Sequence, residues 1–334
     1  EAYLRDDWLE IVRAVRAHGM MATMVTGGRN LSAERAADAA AAGIQTMSVS
    51  LDGEASTHDR LRGPGSHAAA IAAIEHIRVV GITPTVNTQL SRLSWPELPT
   101  LLERIAALGA RAWQVQITVP MGRAADDFEL VLQPHDLLEV FPMVGQLVER
   151  CRELGIAFVP GNNLGYFGPY EHMLRGGMSG GHGGGCGAGR VTLGIESDGT
   201  IKPCPSLATE AWTGGTVRQH PLKDIWQNAR SMRFTRDRGP RESWGRCASC
   251  YYAEDCRAGC TWMSDAVLGR PGNNPYCHHR AIELRREGLR ERIERVRAPD
   301  GTPFDRGTFR LIEEAWPTAA PEEHQEARQR ESAS

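Results

Sequence analysis

Seven of the eight cysteines in this 334-residue chain fall between Cys186 and Cys277, and no other feature limits its folding choices so tightly. In order they are Cys186, Cys204, Cys247, Cys250, Cys256, Cys260 and Cys277. The first two read C-x12-G-x4-C around Gly199, the next four read C-x2-C-x5-C-x3-C, and Cys277 follows after a gap. Thiolates are the soft ligands that iron–sulfur clusters need, and a C-x2-C step turns two sulfurs toward one metal centre. Seven thiols are too many for one tetrahedral zinc and nearly enough for two four-iron clusters. Disulfides fit poorly, because seven is odd and nothing marks the chain as secreted. All-cysteine zinc sites share the C-x2-C step and stay open as an alternative. Ordinary buried cysteines would not cluster at such spacings, so iron–sulfur binding is the expectation.

The first 160 residues obey a different rule. Trp8, Ile11, Val12 and Val15 recur at helical spacing, and Gly19 is placed to stop that helix. Met21 to Gly28 reads as a strand entering a glycine turn. Ser32 is an N-cap, with Arg35 at the third helical position, for an alanine-rich helix ending near Gly43. Further strands are expected at Ile44 to Gly53, Thr83 to Leu90, Arg111 to Pro120 and Ile156 to Pro160, with helices at His67 to Val80, Trp95 to Leu108 and Gln133 to Leu154. Strands alternating with long helices mean a parallel sheet, so the fold class is α/β and the best fit is a partial (β/α) barrel over residues 1–160. Chemistry should gather at the C-terminal strand ends, where Thr26, Gly27 and Gly28, then Ser50, Leu51 and Asp52, then Asn87 and Gln89 fall. Cys151 sits in a helix with Val148 and Leu154 and reads as a packed thiol.

Residues 161–185, with GYFGPY and LRGGMSGGHGGG, read as a glycine-rich linker without helix or strand, either a hinge or a loop that delivers Cys186 to a cavity. His182 within it is expected to be a solvated loop residue. RVTLGIESDGTIKPC reads as a hairpin around Ser-Asp-Gly that brings Cys204 near Cys186. Trp244, Tyr251, Tyr252, Trp262 and Tyr276 either wall metal clusters from water or form the core of a small domain over 186–296. Ala281 to Val296 reads as a charged helix, and residues 297–334 as a polar tail, disordered from about Pro317. The net charge of −3 leaves no footprint for nucleic acid, and no apolar run approaches the ~20 residues that span a bilayer. Unpaired thiols favour a reducing compartment, the cytoplasm.

The full cysteine run, with GIESDGTIKPCPSL and HPLKDIW, resembles the SPASM domain of one branch of radical S-adenosylmethionine (SAM) enzymes. The resemblance implies two auxiliary [4Fe–4S] clusters, the first held by Cys186, Cys204 and Cys260, the second by Cys247, Cys250, Cys256 and Cys277. No cysteine is left as a fourth ligand to the first. MVTGG, SVSLDG and HDRLRG in the first half are similar to the radical SAM core, with Gly27 where relatives carry Asn. The likeness implies SAM contacts from Thr26, Ser50, Arg62 and Asn87. Hydroxyls and an amide suit its zwitterionic tail, and an arginine can fork onto its carboxylate. His58 and Asp59 are read as a helix entry.

The C-x3-C-x2-C loop and the Gly-Gly-Glu-Pro-like turn of that family do not occur in this sequence. With a first residue that is not Met, this suggests the inside of a longer chain, inactive by itself for want of the radical-forming cluster. The resemblance implies a 5′-deoxyadenosyl radical that abstracts hydrogen from a peptide or protein substrate, and an electron donor such as a flavodoxin or ferredoxin. A small-molecule substrate, a non-catalytic iron–sulfur electron-transfer or scaffold protein, and a zinc-stapled binding module are the alternatives.

Overall fold

A computed structural model of the chain describes residues 1–178, 185–301 and 305–317. Its first half is a five-stranded parallel sheet in the order β1 (Thr23–Thr26), β2 (Thr46–Ser50), β3 (Thr83–Leu90), β4 (Ala112–Ile117), β5 (Ala157–Pro160). Helices α1 (Trp8–Ala17), α2 (Ala33–Ala42), α3 (Ala55–Arg62), α4 (Ser66–Val79), α5 (Leu98–Ala107), the short α6 (Arg123–Asp126) and α7 (Leu137–Glu153) fill the connections. Strand residues alternate sharply. Val86, Thr88 and Leu90 of β3 and Trp113, Val115 and Ile117 of β4 are buried, while Asn87, Gln89, Gln114 and Gln116 are half-buried on the opposite face. One face therefore carries the core, and the other presents amides at the C-terminal strand ends.

Local chemistry sets the boundaries. The Ser32 hydroxyl accepts the Arg35 N–H at the start of α2, and Gly43 ends that helix in a left-handed conformation. Ala36, Ala39 and Ala42 form its buried stripe, which lets the helix pack closely. Gly28, at φ +86°, lies so near α4 that a Cβ would stand 2.9 Å from the Ala69 carbonyl oxygen.

The second half begins with a three-stranded antiparallel sheet, β6 (Gly194–Ile195), β7 (Thr200–Lys202) and β8 (Gly215–Thr216). It shares one hydrophobic core with the first half through Cys260, Met263, Tyr276 and Ile293. The Tyr276 hydroxyl donates to the Leu132 carbonyl, and His278 stacks on Phe141 at 4.4 Å between ring centres.

Three expectations need correction. The described part of the linker is packed rather than loose. It contains a short helix, α8 (Glu171–Arg175), and the buried Arg175 guanidinium donates to the Gly161 and Leu164 carbonyls at 2.9 and 2.6 Å. Residues 179–184, with His182, lie outside the described residues. The expected helix over Ala281 to Val296 stops at Arg286; Gly288, at φ +74°, turns the chain into β9 (Leu289–Arg297). Its partner β10 (Thr308–Ala315) belongs to the supposed tail, so ordered structure runs well past residue 297. Glu291 and Ile293 alternate inward on β9, a period of two masked by the surrounding charges.

Candidate metal centres and substrate cleft

The seven cysteines divide between two cavities. Cys186, Cys204 and Cys260 line one of about 300 Å³, and Cys247, Cys250, Cys256 and Cys277 line another of about 330 Å³. Cys256 and Cys260 have only three residues between them, and the backbone separates them. Arg257, Ala258 and Gly259 all take positive φ, at 49°, 59° and 60°, which reverses the chain between the two sulfurs. Lys202, buried at 1% exposure, steadies the Cys204 loop by donating to the Leu207 carbonyl at 2.7 Å.

Tyr166 stands between the sets. Its hydroxyl accepts the Cys260 N–H at 2.9 Å and donates to the Asn162 carbonyl, while its own carbonyl accepts from the Cys277 thiol at 3.6 Å. A Cβ on Gly259 would sit 2.6 Å from its ring. The Tyr166–Cys260 link joins the linker to the cysteine segment, and nothing local in GYFGPY signals it.

Burial pushes the Cys256 and Cys260 thiols up to about 12 and Cys277 well above its ordinary value; it also raises Cys204 and Cys247. Such thiols stay protonated until a metal displaces the proton. Backbone N–H groups already point at the second set. Asn274 donates to the Cys247 sulfur at 3.4 Å and Arg280 to the Cys277 sulfur at 3.5 Å. Among the described residues, no group of three or more His, Cys, Asp or Glu side chains stands ready for a single metal ion. Sulfurs on the rims of roomy cavities, met by N–H donors, fit clusters. Cys151 is fully buried in the core, lines neither cavity, and has its thiol raised to about 12 by burial alone.

A third and larger cleft, about 760 Å³, lies at the strand ends, lined by Asp52, Gln89, Gln116, Arg60, Arg62 and Arg123 among others. It shares Gln116, Ser206 and Trp262 with the first cysteine cavity, so the two are contiguous. The buried Asp52 carboxylate accepts from Arg62 and from the Gln89 N–H at 2.8 Å, while the Asp52 N–H donates to His58 Nδ1 at 3.0 Å. Burial lowers the His58 pKa to about 4 and keeps the imidazole neutral.

The four expected SAM contacts do not share one cavity. Arg62 lines the large cleft, paired with Asp52. Asn87 lines a separate 210 Å³ hollow on the amide face and accepts from Ser48 at 2.8 Å. The Thr26 hydroxyl is enclosed, donating to Glu1 at 2.6 Å and accepting the Gly28 N–H at 2.9 Å. Ser50 lies beside Asn87 in the sheet register. Glu1, which also accepts the Gly27 N–H at 3.0 Å, escaped the sequence reading. Of the aromatics, Tyr251 and Tyr252 border the second cysteine cavity and Trp262 the first. Trp244 packs under Arg270, and Tyr276 is core. His279 borders the second cavity, whereas the ring of His278 is taken up against Phe141.

Residues 186–251 match SPASM, the iron–sulfur cluster-binding domain. An AdoMet-dependent heme synthase of Methanosarcina barkeri is 31% identical over 301 residues, covering 84% of this chain and 80% of that protein. The chain belongs to the radical SAM enzymes that carry a SPASM domain. A PqqA peptide cyclase of Ruegeria pomeroyi is 27% identical over 296 residues, 84% of this chain and 74% of its own length. Among solved structures, native anSMEcpe with bound AdoMet and Cp18Cys peptide has the same fold, with a TM-score of 0.65 at 13% identity over 83% of this radical SAM chain and 76% of its own. No described helix of this family member is long and apolar enough to cross a membrane.

Proposed function

We propose that this protein carries two auxiliary [4Fe–4S] clusters and modifies a peptide by radical SAM chemistry. Cys186, Cys204 and Cys260 hold one cluster; Cys247, Cys250, Cys256 and Cys277 hold the other. The observation that carries this reading is the division of the seven thiols between two cavities, one of them continuous with the cleft at the strand ends. When bound, clusters and SAM supply one-electron and radical chemistry; the protein supplies orientation and dryness. Here the amide face and the Asp52–Arg62 pair orient polar groups, and Trp262 lines both the cleft and the cluster cavity. The C-x3-C-x2-C loop is absent from these 334 residues, so the chain by itself is expected to form no deoxyadenosyl radical.

A peptide is favoured by the relative named a peptide cyclase and by the peptide-bound neighbour. A second reading, a carboxylated tetrapyrrole, is favoured by the heme synthase relative and by three arginines at the cleft. A flavodoxin- or ferredoxin-like donor would reach the second cluster beside Tyr251, which is 90% exposed.

Iron, sulfide and zinc analysis after anaerobic reconstitution tests the cluster assignment. About eight irons with matching sulfide support it; one or two zincs without sulfide overturn it. Titration with hemin then tests the substrate class, since a saturable absorption shift lost in Arg62→Gln would replace the peptide by the tetrapyrrole.

A further inference from the structure

Arg280 is a buried cation with no role in the scheme above. It is 7% exposed, and its Nη1 lies 3.9 Å from the Cys247 sulfur while also donating to the Asn274 carbonyl at 3.2 Å and to the Asn273 side chain. Its Nη2 is held by Glu291 of β9, itself 3% exposed. Its backbone N–H meets the Cys277 sulfur at 3.5 Å. One residue thus contacts two of the four second-set sulfurs. Arg280 and Glu291 both lie beyond the stretch that matches the cluster-binding domain.

Burying an ion pair is costly unless the geometry is well satisfied, and here it is incomplete. The Arg280 Nε and the Glu291 Oε2 are buried without a hydrogen-bond partner. A pair kept for packing alone would be better replaced by apolar side chains. Its orientation supplies a reason. The guanidinium faces the sulfurs and the carboxylate lies behind it, so a cluster there would feel a fixed positive charge at close range. Cluster potentials follow net charge and hydrogen bonds to sulfur.

We propose that Arg280 sets the reduction potential of the second cluster, with Glu291 as its positioning residue. This rests on the assignment of Cys247, Cys250, Cys256 and Cys277 to a cluster. Positive charge near the sulfurs favours the reduced, more negative state, so Arg280 raises the potential. Glu291 offsets part of that effect while fixing the geometry. Arg280 thereby makes the second cluster a better electron sink than it would be without the guanidinium, on the side where Tyr251 meets solvent.

The test is a redox titration, followed by electron paramagnetic resonance, of the reconstituted chain and of R280Q, R280K and E291Q, each with its iron and sulfide measured. R280Q should move one cluster to a more negative potential, E291Q should move the same cluster to a more positive one, and R280K should stay near the parent. The other cluster should not move in any variant. Shifts of the same sign in R280Q and E291Q, or none at full iron content, would overturn the proposal. Loss of that cluster from both variants would also overturn it, since the pair would then be a structural strut. If R280Q alone loses iron, the direction of the E291Q shift decides. Absence of a second cluster in the parent chain is a different failure, that of the cluster assignment itself.

Discussion

Each thiol in the two cavities has a different weight, and single substitutions separate them. Cys250→Ala removes one of four second-set sulfurs with no spare cysteine near, so about half of the bound iron should disappear on reconstitution. Cys151→Ala should leave iron content intact, because that thiol is packed in the core and reaches neither cavity. An iron loss in Cys151→Ala comparable to that in Cys204→Ala would show that a ligand had been missed. His58 makes a second residue-scale case. Its pKa falls from 6.5 to about 4 because burial disfavours the imidazolium, so the folded state holds it neutral. A depressed pKa contributes stability that is present above the unfolded value and lost as pH falls from 6.5 through about 4. At ~1.4 kcal/mol per unit, the full effect is at most about 3.5 kcal/mol. Urea unfolding of wild type and His58→Gln between pH 7 and pH 4.5 should show a shallower acid loss in the variant. Parallel pH profiles would count against the neutral, buried imidazole.

Elements here are set by a few contacts that can be cut one at a time. Ser32→Ala removes the cap of α2 and should cost about 1 kcal/mol in chemical denaturation. Gly28→Ala should cost about 1–3 kcal/mol, because the new methyl presses the α4 backbone and the left-handed φ resists a side chain; a cost below the Ser32→Ala value would contradict the close approach. These elements were legible in advance, since capping residues and period-two or helical patterns act locally. The parallel order and the amide-bearing strand ends were legible for the same reason. The β9–β10 hairpin was not. Charged residues dominate Leu289–Arg297, and the inward Glu291 is met by Arg280, a partner no local pattern reveals. The linker misled in the same way, its glycines hiding the Arg175 clamp and the Tyr166 bridge. Cysteine spacing pointed to metal, yet the placement of Cys260 away from Cys256 depends on three left-handed residues that spacing does not announce.

At the scale of the whole molecule, Cys256, Cys260 and Cys277 pack into the core that joins the two halves, while Cys186 and Cys204 pack in a small cluster of their own, so loading either set is coupled to folding. The buried thiol of Cys260 and the half-buried thiols of Cys256 and Cys277 have folded pKa values raised above the ordinary 9. A raised pKa contributes stability that is complete below pH 9 and lost as pH climbs from 9 through about 12, because the unfolded chain ionises first. The limiting slope is about 1.4 kcal/mol per thiol per pH unit. The buried phenols of Tyr166 and Tyr276 are raised too and add to the same decline. Phenols, however, are common to metal-free and loaded protein, whereas metal-bound sulfurs no longer titrate. Anaerobic unfolding of both forms between pH 7.5 and 10.5 should therefore separate them in two ways: below pH 9 the loaded form gains stability with pH, because its thiolates take up protons on unfolding, and above pH 9 the metal-free form falls faster. Curves that run parallel above pH 9 would mean that the thiols lie open to water in the metal-free chain, and that the cavities form only around their metal.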